Sequence, residues 1–269
     1  MGDLETNCTS LQSQQSSYTQ LTTYFDNQRL ISWCYMHPEP RSCFTLTLLR
    51  DIESWLNGMV GMIDDPAQID VKYFVLASKD ADTYNLGGDL NLFKQYIQER
   101  NRDGLLRYAV SCINSVYAIH SHLSRPNVTS IALVQGLALG GGFECALSAN
   151  VLIAERGTTM GLPEILFNLF PGMGALTLLG RRVGYQNAEQ MILSGKLYLA
   201  EELYEMGVVD VLAESGEGEK AVYEYVRREE KSRNGILALR RAREILQPVS
   251  YDELFRITEI WVDAALSLE

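Results

Sequence analysis

Histidine is nearly missing from this chain of 269 residues: it occurs at positions 37, 120 and 122 and nowhere else. That scarcity removes most hydrolytic machinery. There is no G-x-S-x-G turn for a nucleophilic serine, and no histidine lies in the glycine-rich segments where a Ser-His-Asp arrangement would need one. His120 and His122 stand two residues apart on an expected helix, where i and i+2 do not share a face, so they are not read as a zinc pair. The cysteines, Cys8, Cys34, Cys43, Cys112 and Cys145, are odd in number and show no C-x-x-C spacing. They are expected to be reduced thiols of a cytoplasmic protein. Positive charge is also short: 23 Lys and Arg against 34 Asp and Glu leave a net charge of −11. Nucleic acid and anionic membrane surfaces are poor main partners for such a chain. The clusters Arg181-Arg182, Arg227-Arg228 and Arg240-Arg241-Ala242-Arg243 read as solvated surface. No apolar run reaches the roughly 20 residues of a membrane helix, and the polar N-terminus lacks a signal-peptide core. The expectation is therefore no metal, no cofactor, no nucleic acid and no membrane span.

Apolar residues make up 46% of the chain, enough for a sizeable core. Residues 1–20, rich in Ser, Gln and Thr, read as a flexible tail. Strands are expected at Leu30–Met36, Cys43–Leu49, Tyr73–Ala77, Val128–Gln135 and Val151–Ala154, and helices over Asp51–Ile63 and most of Leu92–Leu123. In the second helical stretch Asn101–Gly104 is an expected interruption. A short helix is expected at Phe143–Ser148. The alternation of strand, turn and helix points to an α/β core with parallel strands. After Gly195 the pattern turns helical: Leu199–Met206, Glu219–Lys231, Gly235–Leu246 and Tyr251–Leu266, with a single strand at Val208–Leu212.

The chemistry concentrates where strand gives way to helix at Gly136-Leu137-Ala138-Leu139-Gly140-Gly141-Gly142-Phe143-Glu144. Glycines without Cβ let backbone and ligand approach closely, and a helix N-terminus offers unpaired N–H groups and a positive dipole end. Such a place suits a developing oxyanion. A dinucleotide-binding turn is the competing reading, but clean G-x-G-x-x-G spacing is missing. A second glycine turn, Leu86-Gly87-Gly88, follows the strand at 73–77. Glu144 and Glu164, the latter after Pro163, supply two carboxylates beside apolar Leu137, Leu139, Phe143, Ile165, Leu166, Phe167, Leu169, Phe170 and Met173. Carboxylates against apolar walls gain altered proton affinity, which suits general acid–base work. Each glutamate alone also reads as an ordinary first-turn helix carboxylate.

In combination, these motifs resemble the crotonase (enoyl-CoA hydratase/isomerase) superfamily. The carriers of the resemblance are Gly136–Glu144, then Pro163-Glu164 with Pro171-Gly172-Met173-Gly174, and Tyr84-Asn85-Leu86-Gly87-Gly88-Asp89, over roughly residues 30–265. The resemblance implies a spiral of β-β-α units at 21–198, a helical C-terminal region at 199–269, and a homotrimer or dimer of trimers. It implies an oxyanion hole of the Leu86 and Gly141 N–H groups and an acid–base pair of Glu144 and Glu164. It also implies substrate contacts at Gly87, Leu139, Gly140, Met173 and Trp261. Within the superfamily the chain is most similar to bacterial diffusible signal factor synthases. Those dehydrate a 3-hydroxyacyl chain on acyl carrier protein to a cis-2-unsaturated acyl group and then hydrolyse the thioester, under a regulatory sensor protein. A hydratase/isomerase acting on coenzyme A thioesters and a non-catalytic binding protein of the same fold are the alternatives. Asn168 departs from the common hydratase pattern, which has glycine there.

Overall fold

The computed structural model describes residues 18–65 and 70–268. Most of the expected tail lies outside them. Its described end is tied down: the N–H groups of Thr19 and Gln20 donate to Asp51 Oδ2 at 2.8 and 2.7 Å, and Gln20 is buried.

The chain runs β1 (Leu21–Asp26), β2 (Ile31–Met36), α1 (Leu46–Asp64), β3 (Tyr73–Ser78), β4 (Thr83–Asn85), α2 (Leu90–Gln98) and α3 (Arg102–His120). It continues through β5 (Thr129–Val134), β6 (Leu137–Leu139), α4 (Gly141–Ser148), β7 (Val151–Glu155), β8 (Thr159–Gly161), α5 (Ala175–Val183) and α6 (Tyr185–Ser194). The last elements are β9 (Leu197–Leu199), α7 (Ala200–Glu205), β10 (Val211–Ala213), α8 (Gly218–Leu246) and α9 (Tyr251–Leu266). Two sheets result, in the orders β1-β2-β3-β5-β7-β10 and β4-β6-β8-β9. Three successive units repeat one path: β3 then β4, β5 then β6, β7 then β8, each placing a strand in the large sheet, then one in the small sheet, then helical structure. This is the α/β spiral of β-β-α units that the motifs imply, with a helical C-terminal region.

The long strands are apolar on both faces because both faces are covered. Tyr73, Val75, Ala77, Ile131, Leu133, Val151 and Ile153 point into a core that includes Val222 and Val226 of α8. The alternate residues Phe74, Leu76, Ala132, Val134, Leu152 and Ala154 point into a larger core with α1, α3 and α4.

Several expectations need correction. Cys43–Leu49 is not a strand: Phe44 makes one isolated bridge to Gly88, and Thr45 caps α1, its Oγ1 accepting from Leu48 N at 3.0 Å. A side-chain cap there ends the extended chain and starts the helix. The interruption expected at 101–104 is there but lies slightly earlier: α2 ends at Gln98 and α3 begins at Arg102, with Asn101 Oδ1 accepting from Gly104 N at 2.8 Å. The two helices expected at 219–231 and 235–246 are present as the two halves of α8, which meet without a loop at a kink where Ser232 leaves helical geometry (φ −131, ψ 19). α3 ends at His120, so His122 lies in a separate 3-10 turn (His122–Ser124).

Candidate active site

Three parallel neighbours of the small sheet deliver the candidate residues from their C-terminal ends. β4 leads into Leu86-Gly87-Gly88, β6 into Gly140-Gly141-Gly142 and Glu144, and β8 into Leu162, Pro163 and Glu164. The carboxyl ends of parallel strands are where α/β sheets gather ligand-binding groups. The glycines make the convergence possible. A Cβ on Gly142 would fall 2.0 Å from the Asn85 carbonyl oxygen, and one on Gly87 (φ +88) would fall 2.8 Å from Gly141 N. Gly140 N donates to the Gly161 carbonyl at 2.9 Å and so ties the ends of β6 and β8 together. Asn85, fully buried, closes the first turn by accepting from Gly87 N through Oδ1 at 2.8 Å, an Asx turn.

Glu144 sits in the first turn of α4 and is 1% exposed. Its Oε1 accepts from the N–H groups of Met173 and Ala175, both at 2.8 Å. Burial pushes this carboxyl well above the ordinary carboxylate range, and the charge of Glu164 pushes it further. The N–H groups of Ala175, Met173 and Gly174 pull it partly back. Glu164 lies in a 3-10 turn, Pro163–Phe167. Burial raises its carboxyl too, and its Oε2 is buried with no hydrogen-bond partner. Its Oε1 lies against Gly140, where a Cβ would come within 2.5 Å. One carboxyl is thus held by backbone donors and the other has an unused oxygen. The two interact, so they titrate as a pair rather than as separate acids. Asn168 ends the 3-10 turn at φ 60. That left-handed conformation explains the residue at this position: asparagine is the side chain that tolerates it best after glycine.

Gly141 N opens α4, where intrahelical bonding leaves donors free. Leu86 N is different. It donates to the Ser42 carbonyl at 2.7 Å, so in this conformation the second expected oxyanion donor is occupied. Ser42 belongs to a segment held by Arg41 to Asp89 at 2.7 Å and by its own Oγ to Asp80 at 3.1 Å. The sequence gives no sign of this contact, because it joins residues 44 positions apart through a backbone carbonyl.

Residues 67–254 match the family described as enoyl-CoA hydratase/isomerase. The chain belongs to the enoyl-CoA hydratase/isomerase family. Among curated relatives, the peroxisomal fatty acid beta-oxidation multifunctional protein AIM1 of Arabidopsis thaliana is 34% identical over 55% of this chain. The mevalonyl-coenzyme A hydratase SIDH of Beauveria bassiana is 44% identical over 32% of it. The chain spans 20% and 31% of the length of these two relatives. Among solved structures, an enoyl-CoA hydratase from Bacillus halodurans superposes with a TM-score of 0.75 at 20% identity, over 94% of this chain and 95% of that one. Pseudomonas aeruginosa DspI superposes with a TM-score of 0.68 at 22% identity, over 95% and 94%. At these identities the structural likeness is one of fold.

In this hydratase/isomerase family member an apolar wall adjoins the glutamates. Met173 Sδ lies 2.7 Å from where a Gly141 Cβ would be, and Trp261 lies on Gly172, whose Cβ would fall 2.3 Å from the indole Cγ. Phe93 links the first glycine turn to Trp261. Its ring covers Gly88 and meets Trp261 edge-on, with centroids 5.1 Å apart. Leu139, at the end of β6, is half-buried. Leu105, Ala109, Leu169 and Phe170 join Trp261 in one small apolar cluster. Among the described residues, no three His, Cys, Asp or Glu side chains come together as a metal set. No helix there is long and apolar enough to cross a membrane.

Proposed function

We propose that this protein removes water across C2–C3 of a 3-hydroxyacyl thioester and then hydrolyses the thioester, releasing a cis-2-unsaturated fatty acid of the quorum-signal type. The observation that carries the reading is the pair of buried carboxyls with raised proton affinity, one oxygen of Glu144 fixed by two N–H groups and one of Glu164 free. A raised pair near neutrality keeps one member ionised and the other protonated, which is what elimination needs.

The thioester carbonyl enters beneath Gly141 N, and Leu86 N joins it once the Ser42 carbonyl withdraws. Gly87 and Gly140 leave room for the thioester, and Leu139, Met173 and Trp261 take the acyl chain. One glutamate removes a C2 proton while charge builds on the carbonyl oxygen. The other gives a proton to the C3 hydroxyl, which leaves as water. An oxyanion donor is worth on the order of 3 kcal/mol in such a transition state. In the second stage a glutamate takes a proton from water. The resulting hydroxide adds to the carbonyl, and the carrier thiolate leaves with that proton. The acyl group is carried on acyl carrier protein, and assembly as a homotrimer or dimer of trimers and control by a regulatory sensor protein belong to the same reading.

A second reading, reversible hydration of a trans-enoyl-coenzyme A, is favoured by the family match and by the coenzyme A chemistry named for one curated relative. Incubation with 3-hydroxyacyl carrier proteins and 3-hydroxyacyl-coenzyme A of graded length, with mass spectrometry of the products, separates the two. Free cis-2-enoic acid is the expected product. Only trans-enoyl thioester would establish the second reading. No turnover by the parent enzyme, or full activity in Glu144→Gln or Glu164→Gln, would overturn both.

A further inference from the structure

We infer that Thr258 of α9 is a positioning residue for Glu144, acting through the carbonyl of Gly172. For its kinetic consequence the inference rests on the acyl-thioester reading; its physical content does not.

Glu144 depends on a short irregular segment. Residues 172–174 belong to no helix or strand, yet this segment and the residue after it present both N–H groups that hold Glu144 Oε1. A segment without a ladder of its own needs an outside anchor. α9 supplies one. Thr258 is fully buried, and its hydroxyl donates to the Gly172 carbonyl at 3.0 Å. A threonine inside a helix commonly turns its hydroxyl back to the carbonyl four residues earlier; here it reaches across to another segment. Leu254, Thr258 and Trp261 are spaced to share one helix face. Trp261 lies on Gly172, and Leu254 Cδ2 lies 2.9 Å from where a Gly174 Cβ would be. Three consecutive contacts of one face therefore hold the outer side of the segment whose inner side holds Glu144. α9 is itself anchored to α5: Arg181 makes a two-pronged pair with Glu253, at 2.9 and 2.8 Å, and Thr177 Oγ1 donates to Glu253 Oε1 at 2.8 Å.

The N–H groups favour the ionised form of Glu144, against burial and against the charge of Glu164. Removing the anchor frees the segment to drift, so the carboxyl should lose part of that support and hold its proton to higher pH. Fixed geometry at the reacting carbon should suffer at the same time.

The test uses the full chain labelled with δ-13C-glutamate and titrated by NMR without substrate, the Glu144 signal being assigned by its loss in Glu144→Gln. Thr258→Val keeps the branched shape and removes the hydroxyl; Thr258→Ser restores it. The expected result is a Glu144 titration displaced to higher pH in Thr258→Val, by about half a unit or more given one weakened charge-assisted bond, and returned in Thr258→Ser. In the same variant kcat on the acyl thioester should fall by about tenfold with KM little changed, again recovered by Ser. Gly172→Ala, which pushes on Trp261 from the other side, should move the Glu144 titration in the same direction. An unchanged Glu144 titration in Thr258→Val, or equal shifts in the Val and Ser variants, would overturn the inference. A parent enzyme inactive on every thioester, with the titration still displaced in Thr258→Val, would refute the acyl-thioester reading and leave the positioning role standing.

Discussion

Gly140→Ala separates backbone strain from catalytic geometry at a single atom. Gly140 has φ 52 and ψ −125, a conformation that residues with a Cβ leave to glycine. Forcing alanine into it costs about 1–3 kcal/mol, which lowers Tm by roughly 3–10 °C in a domain of this size. The added methyl would also stand 2.5 Å from Glu164 Oε1, whereas carbon contacts settle at about 3.5 Å. The carboxyl must retreat by roughly 1 Å, and a misplacement of that size costs about 100-fold in rate. Because the displaced atom is the free end of a side chain, its retreat adds little to the loss of stability. Gly157 supplies the control. It has φ +80 and no atom within 4 Å of an added Cβ, so Gly157→Ala carries strain alone. Thermal unfolding of both variants, with kcat and KM for an acyl thioester, decides the matter. Similar falls in Tm, with kcat lost only in Gly140→Ala, are expected. If Gly140→Ala is destabilised yet keeps its full kcat, Glu164 Oε1 is not where the chemistry needs it.

The carboxyl pair should give a bell-shaped pH profile in kcat. Burial raises both carboxyls, and the Glu164 charge raises Glu144 further, so activity should rise as the first proton leaves the pair and fall as the second leaves. A profile flat from pH 5 to 10 would refute this. Stability should depend on the same groups. A carboxyl raised above its ordinary value of 4.5 leaves the folded state holding more protons than the unfolded one. The folded state is therefore penalised progressively as pH rises from about 4.5 to about 8. Glu144→Gln keeps an acceptor for Met173 N and Ala175 N and removes the ionisation, so its Tm relative to the parent should climb between pH 5 and pH 9; a constant difference would exclude a raised carboxyl. Arg41→Ala breaks the exposed Arg41–Asp89 pair, worth at most about 1 kcal/mol, and should ease withdrawal of the Ser42 carbonyl. KM for the thioester should fall by up to about fivefold, and an unchanged or higher KM would mean that the Ser42 contact does not oppose binding.

The inner strands of the large sheet were legible because they are apolar on both faces. Tyr73–Ala77 and Val151–Ala154 read as strands from their apolar runs, and both are strands, buried along their length. The small sheet was not legible. β4, β6 and β8 have three residues each, too few for a period of two to show. They are nonetheless what brings the two glycine turns and both glutamates together. The glycine and glutamate motifs marked the site in sequence because each needs an unusual residue: no Cβ at 87, 140, 141 and 142, and a carboxylate at 144 and 164. Ser42 and Thr258 escaped notice because their contributions are a carbonyl and one hydroxyl, groups that leave no compositional trace. β1, α5 and α6 were missed as well, and Cys43–Leu49 was misread because Thr45 is as much a helix cap as a strand residue.

The two carboxyls are positioned by different parts of the chain, and this limits what any one perturbation can reach. Glu164 is placed by β8, by the 3-10 turn closed at Asn168 and by its rest on Gly140. Glu144 is placed by α4 and by a segment that α9 holds from outside. Changes in α9 should therefore move the Glu144 titration first and that of Glu164 only through their mutual charge. Changes at Asn168 should do the reverse. Asn168→Gly keeps the left-handed turn, and should leave both titrations in place while loosening the turn in the unfolded chain. Asn168→Val forces a branched side chain into φ 60, which such residues avoid, and should displace Glu164. Glutamate-labelled protein reads both signals in one titration. If Asn168→Val moves the Glu144 signal more than that of Glu164, the two carboxyls share a common support and the division drawn from these contacts is wrong.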